Sequence, residues 1–372
     1  MKKITILMLH LQHGGIEKQT ITFANLLCQK YKVEIISVYS MKKQPAYEIN
    51  KKINIKYLID DYPNRDEFKS KLKKMKLIST FKEGTKALKI LKDKNNLMIE
   101  EIKNLQSDFV LSTRIEFAEL LSKYAPKNVI TMTQEHLHND SKSYVKKVKK
   151  AFSNIDYLIV LSPWSYKNYS KWLKDNKKIK IVEIPNIVDK LSKEQAKLNS
   201  NTLIAVGRMH KVKCFTDLIK VYKKVKEEIP DVKLNLIGDG EEYKKLKEKA
   251  KGLDVNMPGM VSSEEVKKYM LNSDIYVMTS LTECFPMVLL EASGVGLPLV
   301  SFNVPTGPQA IIKNGYNGYL IDNRDIEKMS LKIIKLLKDR DLMKKMQENS
   351  YENAKNYLDD KIMKKWFEIF DK

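Results

Sequence analysis

Asp274-Ile275-Tyr276-Val277-Met278-Thr279-Ser280-Leu281-Thr282-Glu283-Cys284-Phe285-Pro286-Met287-Val288-Leu289-Leu290-Glu291-Ala292 reads as a strand, a loop and a helix in sequence. Ile275–Met278 is a short apolar run of the kind buried on both faces of a parallel sheet. Pro286 suits the first position of a helix. The N–H groups at Met287 and Val288 then lack partners and, with the positive end of the helix dipole, favour a phosphate. Glu283 stands in the loop, and Glu291 lies just over one turn into the helix. A carboxylate there can accept from two sugar hydroxyls at once. The plainer alternative is a loop residue and a solvated helix position. Glu291, however, is flanked by Leu289, Leu290, Ala292 and Val295. A carboxylate on so apolar a helix asks for a partner.

Upstream, Val206-Gly207-Arg208-Met209-His210-Lys211-Val212-Lys213 follows another apolar run. A glycine turns the chain and two cations follow, five residues apart. Arg208 offers a planar fork and Lys213 a point charge, a pair that suits a diphosphate. Ordinary basic residues on a surface loop are the alternative. Around these stretches, short apolar runs alternate with amphipathic segments: Thr202–Val206, Lys233–Ile237, Asp254–Met257, Ile275–Met278 and Leu299–Phe302 as strands, with helices between. The N-terminal half repeats the rhythm with Ile4–Leu9, Val33–Val38, Phe109–Ser112, Asn128–Thr133, Tyr157–Leu161 and Ile179–Ile184. Asp66–Asn104 reads as a mostly helical excursion. The pattern predicts two Rossmann-like, doubly wound α/β domains facing a central cleft, 1–185 and 186–356. In the first domain, Gly14-Gly15-Ile16-Glu17 lets the backbone approach a ligand where a helix opens. Glu135-His136 follows a strand end, where a histidine serves either structure or a ligand; His10 and His138 read as structural or acceptor-side.

The motifs resemble glycosyltransferase family 4, retaining enzymes with the GT-B fold, most densely over residues 200–325. Gly207, Arg208 and Lys213 match its Gly-Arg-x4-Lys stretch, Ile237-Gly238-Asp239-Gly240 its Ile-Gly-Asp-Gly turn, and Glu283 and Glu291 its Glu-x7-Glu signature. Phe302-Asn303-Val304-Pro305-Thr306-Gly307-Pro308 resembles the loop of members that assemble capsules, glycolipids and other surface polysaccharides. Asn314-Gly315 and Asn317-Gly318-Tyr319-Leu320 match the following turn. The resemblance implies transfer of a hexose from a nucleotide-sugar, a UDP-sugar, to a glycan or lipid-linked acceptor bound by the first domain. Arg208 and Lys213 would hold the diphosphate and Glu291 the ribose hydroxyls. Glu283 and His136 would face the donor sugar. Gly15 and Gly238 would line the site, with the N–H groups of Phe285, Met287 and Val288 around sugar and phosphates. The last segment, 357–372, would cross back onto the first domain. Cys214 and Cys284 stand where the family has glycine.

Bulk properties narrow the partners. Apolar residues are 43% and charged residues 31% of 372, the composition of a globular chain. No apolar run approaches the roughly 20 residues that cross a bilayer. Cys28, Cys214 and Cys284 fit no zinc spacing and an odd number cannot pair fully, which points to a reducing cytoplasm. Asp339-Arg340-Asp341 has the letters of a metal motif but lies in a Lys-rich tail, so no metal and no cofactor is expected. The net charge is +22; residues 1–185 hold 36 Lys/Arg against 19 Asp/Glu, a surplus of 17. The surplus, with amphipathic lysine-rich stretches at 66–94 (Phe68, Leu72, Met75, Ile78 and Phe81) and 142–152, suits an anionic inner-leaflet surface. A solvated lysine face is the alternative. A nucleic-acid-binding protein would suit the charge, but no aromatic interleaving or recognition motif accompanies it. A GT-B nucleotide-sugar epimerase would share the donor site and lack an acceptor.

Overall fold

The computed structural model describes residues 1–62, 90, 92–136, 139–188 and 190–372. They gather into two compact units, one of 1–160, 168–183 and 372, the other of 161–167 and 184–371. The first holds seven strands: β1 (Lys3–His10), β2 (Lys32–Tyr39), β3 (Asn54–Ile59), β4 (Phe109–Ser112), β5 (Ile130–Gln134), β6 (Tyr157–Val160) and β7 (Lys180–Glu183). They form one parallel sheet in the order β3-β2-β1-β4-β5-β6-β7. The second unit has β8 (Thr202–Val206), β9 (Lys233–Ile237), β10 (Val255–Asn256), β11 (Ile275–Met278), β12 (Leu299–Phe302) and β13 (Gly318–Ile321). These are parallel too, in the order β10-β9-β8-β11-β12-β13. Both units are therefore doubly wound α/β, as the alternating pattern predicts. Central strands such as β11 and β12 are buried at every residue, which is why they read as unbroken apolar runs.

Two strands have no counterpart in the sequence reading. β3 is half-exposed at the sheet edge, and its Asn-Ile-Lys-Tyr-Leu-Ile alternation mixes lysine into the pattern. β13 begins at Gly318, a residue that reads as turn. Of the segment expected to be a helical excursion, 92–103 is helical. The apolar residues Phe68 to Phe81 lie outside the described residues.

The helix Lys142–Ala151 corrects the membrane reading of that stretch. Ser141 caps it, accepting from the Tyr144 N–H at 3.3 Å. Tyr144, Val148 and Ala151 are buried in the core of the first unit beside Phe117 and Leu121. The apolar face is covered by protein, so Lys142, Ser143, Lys146, Lys147, Lys149 and Lys150 face out. The helix Asp359–Phe370 buries Ile362, Met363, Trp366, Ile369 and Phe370, with Trp366 stacked on Phe370 at 5.7 Å, and it groups with the second unit. Among the described residues no helix is long and apolar enough to cross a membrane.

One buried carboxylate anchors the amino ends of β8 and β11. Asp274, wholly buried, accepts from Ser200 Oγ at 2.6 Å, the Thr202 N–H at 2.8 Å and Arg340 Nη1 at 3.0 Å. Asp339, next in sequence to that arginine, caps the helix Arg340–Ala354 by accepting from the Leu342 N–H at 3.0 Å. The Asp-Arg-Asp letters are thus a helix start and an anchor. Removing the carboxylate strands several donors at once. Asp274→Ala is expected to lower stability by about 3 kcal/mol. Urea unfolding measures it, and a loss below about 1 kcal/mol would contradict the anchor role.

Candidate active site

In the second unit the strand order reverses between β8 and β11. Loops leaving adjacent strands at such a switch point diverge and open a crevice at the carboxyl ends. The loop after β8 carries Arg208 and Lys213; the loop after β11 carries Glu283. The structure brings Lys213 and Glu283 together: Lys213 Nζ donates to Glu283 Oε1 at 2.6 Å, and Ser280 Oγ donates to the same oxygen at 2.6 Å. Both side chains are mostly buried. The loop backbones are joined as well. The Leu281 N–H donates to the Val212 carbonyl at 2.7 Å, and Thr279 Oγ1 donates to the carbonyls of Lys213 and Cys214 at 3.2 Å each.

Glycines place the first loop. Gly238, at φ 135°, lies so close to Gly207 that a Cβ there would sit 2.0 Å from the Gly207 oxygen. Gly240 meets the Met209 carbonyl the same way, at 2.6 Å. The turns exchange backbone bonds, Gly207 N–H to Ile237 and Met209 N–H to Asp239. Lys211–Lys213 is one turn of 3₁₀ helix, and Cys214 follows in the left-handed region at φ 49°. That conformation is one glycine adopts without strain, which accounts for the family's glycine there. Arg208 is exposed and makes no side-chain hydrogen bond or ion pair among the described residues. All its donors face solvent.

The helix beyond Glu283 starts at Met287, one position later than expected, with Pro286 as its cap residue and not its first helical residue. Met287 and Val288 are half-buried and Phe285 is buried. Glu291 is half-buried. Glu283 and Glu291 share a neighbour in Tyr276, whose hydroxyl bonds both the N–H (3.2 Å) and the carbonyl (3.1 Å) of Val206. Burial pushes the Tyr276 phenol up, and the charges of Glu283 and Glu291 push it further the same way.

Sequence reading missed Arg324. It follows β13 in a left-handed backbone at φ 68°. Its Nη2 donates to the carbonyls of Thr279 and Ser280 at 2.9 Å each, and its Nη1 to Asp217 Oδ2 at 3.1 Å. Burial pushes the Asp217 carboxyl up, but bonds from Lys220 and Cys214 and the charges of Lys220 and Arg324 outweigh it and hold the group below its ordinary value. Nothing local marks such an arginine, because Thr279, Ser280 and Asp217, which its two Nη atoms bind, lie 44 to 107 residues away.

In the first unit the order reverses between β1 and β4. His10 at the end of β1, Glu17 in the first helix and Arg114 after β4 meet there. Arg114 Nη2 lies 3.4 Å and His10 Nε2 3.8 Å from Glu17 Oε1. Glu17 is buried, and a Cβ on Gly14 would sit 2.0 Å from its carboxylate. Gly15, predicted to line the site, has open space where a Cβ would go. His136 follows β5. Its Nε2 is buried with no hydrogen-bond partner among the described residues, and so is Arg114 Nε. Burial, aided by the Arg114 charge, brings the His136 pKa down to about 4, so the ring is neutral at pH 7. Glu135 beside it takes a bond from the Tyr144 hydroxyl at 2.8 Å. His138 lies outside the described residues. Among the described residues no three His, Cys, Asp or Glu side chains group as a metal site.

Residues 188–353 match the family model described as "Glycosyl transferases group 1". An uncharacterized glycosyltransferase of Haemophilus influenzae is 27% identical over 98% of this chain and 99% of its own length. A Campylobacter jejuni N-acetyl-D-galactosaminyltransferase, named for a diNAcBac-PP-undecaprenol-linked substrate, is 22% identical over 99% and 98%. An exopolysaccharide phosphotransferase of Streptomyces coelicolor is 25% identical over 96% of this chain, which spans 39% of that protein's length. A Staphylococcus aureus TarM variant, solved with fondaparinux, alpha-GlcNAc-glycerol and UDP, superposes with a TM-score of 0.76 at 17% identity, covering 100% of both chains. The fold is GT-B, residues 188–353 match the group 1 glycosyltransferase model, and the Haemophilus and Campylobacter relatives that align over nearly the whole chain are glycosyltransferases.

The buried imidazole has a consequence for stability. Its folded pKa lies below the ordinary 6.5, so protonation favours the unfolded chain. Above pH 6.5 the histidine is neutral in both states and contributes no pH dependence. As pH falls from 6.5 towards 4, the folded state loses up to about 3 kcal/mol on its account. His136→Gln is expected to lose less stability than wild type over that window, as measured by urea unfolding at each pH. Parallel losses in the two proteins would contradict a buried neutral ring.

Proposed function

We propose that the protein is a retaining family 4 enzyme that moves a hexose from a UDP-sugar to a glycan or lipid-linked acceptor in surface polysaccharide or glycolipid synthesis. The Lys213–Glu283 pair carries this reading. An ammonium has three donors; Glu283 takes one, and the others are left for a phosphate. Arg208, with its fork unpartnered, supplies the second cation, and the helix opening at Met287 supplies N–H groups and positive dipole. As the bond between the anomeric carbon and the diphosphate breaks, negative charge grows on the leaving phosphate. Preorganised donors at that phosphate lower the barrier without reorganising. Glu283 faces the sugar and Glu291 the ribose. The acceptor hydroxyl attacks from the face the phosphate leaves, and the departing phosphate takes its proton. Gly207, Gly238 and the N–H groups of Phe285 and Val288 complete the donor site. The polysaccharide-related names of the relatives support the acceptor class. Those relatives are transferases, which favours transfer over epimerisation.

The cations do the work a divalent ion does elsewhere, so the reaction proceeds without metal. Lys213→Ala and Arg208→Ala are each expected to lower turnover by roughly 10²–10³, and Glu291→Ala to weaken UDP binding, with wild-type UDP release unchanged in EDTA. Folded variants with wild-type rates, or activity lost in EDTA and restored by manganese, would sink the assignment.

The lysine faces of the first unit serve a lipid-linked acceptor by drawing the protein to the anionic inner leaflet, cytoplasmic side. With the apolar face of Lys142–Ala151 inside the core, attachment is electrostatic alone, about 1 kcal/mol per lysine near the surface. The protein is expected to pellet with phosphatidylglycerol vesicles at low salt and to stay in solution with neutral vesicles or in about 0.5 M salt. Equal sedimentation with both vesicle types counts against membrane recruitment.

A further inference from the structure

We propose that Arg324 is a positioning residue that fixes the Glu283 loop in the geometry sugar transfer requires. The inference rests on the reading of Glu283 as the group facing the donor sugar.

Among the described residues Arg324 makes no direct bond to Glu283 or Lys213; it holds the backbone that carries them. Thr279 and Ser280 leave β11 and lead directly to Glu283. Their carbonyls both point at one guanidinium nitrogen, at 2.9 Å each. From Ser280 the connection continues through its hydroxyl to Glu283 Oε1 at 2.6 Å, the oxygen that also receives Lys213 Nζ. The other side of the fork binds Asp217 at 3.1 Å. Asp217 lies in the first turn of the helix Phe215–Glu228, which begins directly after Cys214. One planar group therefore ties the back of the sugar-side loop to the helix that ends the diphosphate-side loop.

The rest of the environment fixes that group in place. Its Nε donates to Asn323 Oδ1 at 2.8 Å, and its carbon lies 4.1 Å from the centre of the Phe302 ring. The left-handed backbone at Arg324, φ 68°, is one that a non-glycine residue adopts only under constraint from its neighbours. A lysine at this position keeps the charge beside Asp217, but an ammonium cannot lie flat on the ring and span two carbonyls and a carboxylate at once.

The test compares Arg324→Lys, Glu283→Gln and the double variant in the full chain. UDP is the binding probe, and UDP release from whichever UDP-hexose supports turnover is the activity probe. Arg324→Lys is expected to keep UDP affinity within about threefold while kcat falls by about 10–100-fold, the effect of a reacting group displaced by an ångström. In the Glu283→Gln background the same change is expected to add less than about threefold, because two residues acting through one group are not additive. An impaired Glu283→Gln with a near-wild-type Arg324→Lys, or losses that multiply in the double variant, overturns the inference and leaves the site reading standing. An unimpaired Glu283→Gln overturns both. Arg324→Gln, which retains an amide donor for the carbonyls but no charge for Asp217, is read the same way should the lysine variant fail to fold.

Discussion

Everything in the second unit's site depends on a place where there is no room for a side chain. The turn after β9 lies directly on the turn after β8, with Gly238 against the Gly207 oxygen and Gly240 against the Met209 carbonyl. A Cβ at either glycine would force the turns apart. Their contact brings the chain out of β8 at a fixed height, so that one 3₁₀ turn delivers Lys213 to the neighbouring loop. The Lys213–Glu283 pair follows from that placement. An exposed lysine and glutamate would gain little from each other; here the surrounding backbone has already set their separation.

Sequence and structure agree where a signal is local and disagree where it is not. β8, β11 and β12 announce themselves because both their faces are buried. β3 does not, because one side of an edge strand is wet and its lysine breaks the run. Glu283, Arg208 and Lys213 were legible because a strand end, a glycine and a helix start are adjacent to them in sequence. The amphipathic pattern of 142–151 was legible as a helix but not as to its partner: a core and a membrane ask for the same apolar stripe. Arg324 left no trace, since a single arginine in a turn has no period and its partners come from β11 and a distant helix.

The two units use their switch points differently. In the second, cations and N–H groups collect where β8 and β11 diverge. In the first, Arg114 is drawn into a pair with buried Glu17, so that its charge is locally matched, while the ring nitrogen of His136 and the Nε of Arg114 stay buried without partners. Orphaned buried polar atoms are uncommon and costly. Among the described residues two of them lie at the carboxyl ends of β4 and β5, and a third, Thr282 Oγ1, lies beside Glu283 in the second unit.

Strain in the backbone points to the same atoms as the hydrogen bonds. Among the described residues, three non-glycine positions of positive φ surround the Glu283 loop: Cys214 at 49°, Arg324 at 68° and Thr306 at 76°. Such conformations persist only where neighbouring structure over-determines them. Each has such a neighbour. The Cys214 carbonyl accepts from Thr279 Oγ1, and the Arg324 guanidinium donates to the carbonyls of Thr279 and Ser280. Thr306 donates its hydroxyl to the Glu283 carbonyl, to which the Gly307 N–H also donates at 3.2 Å. Gly307 is packed so closely on Pro286 that a Cβ would sit 2.5 Å away. The carboxylate of Glu283 is thus gripped by Ser280 and Lys213 and its carbonyl by the strained turn at Thr306. A loop held at both ends of one residue loses little order when a substrate arrives, which is the condition for its contacts to act on the transition state rather than on loop closure.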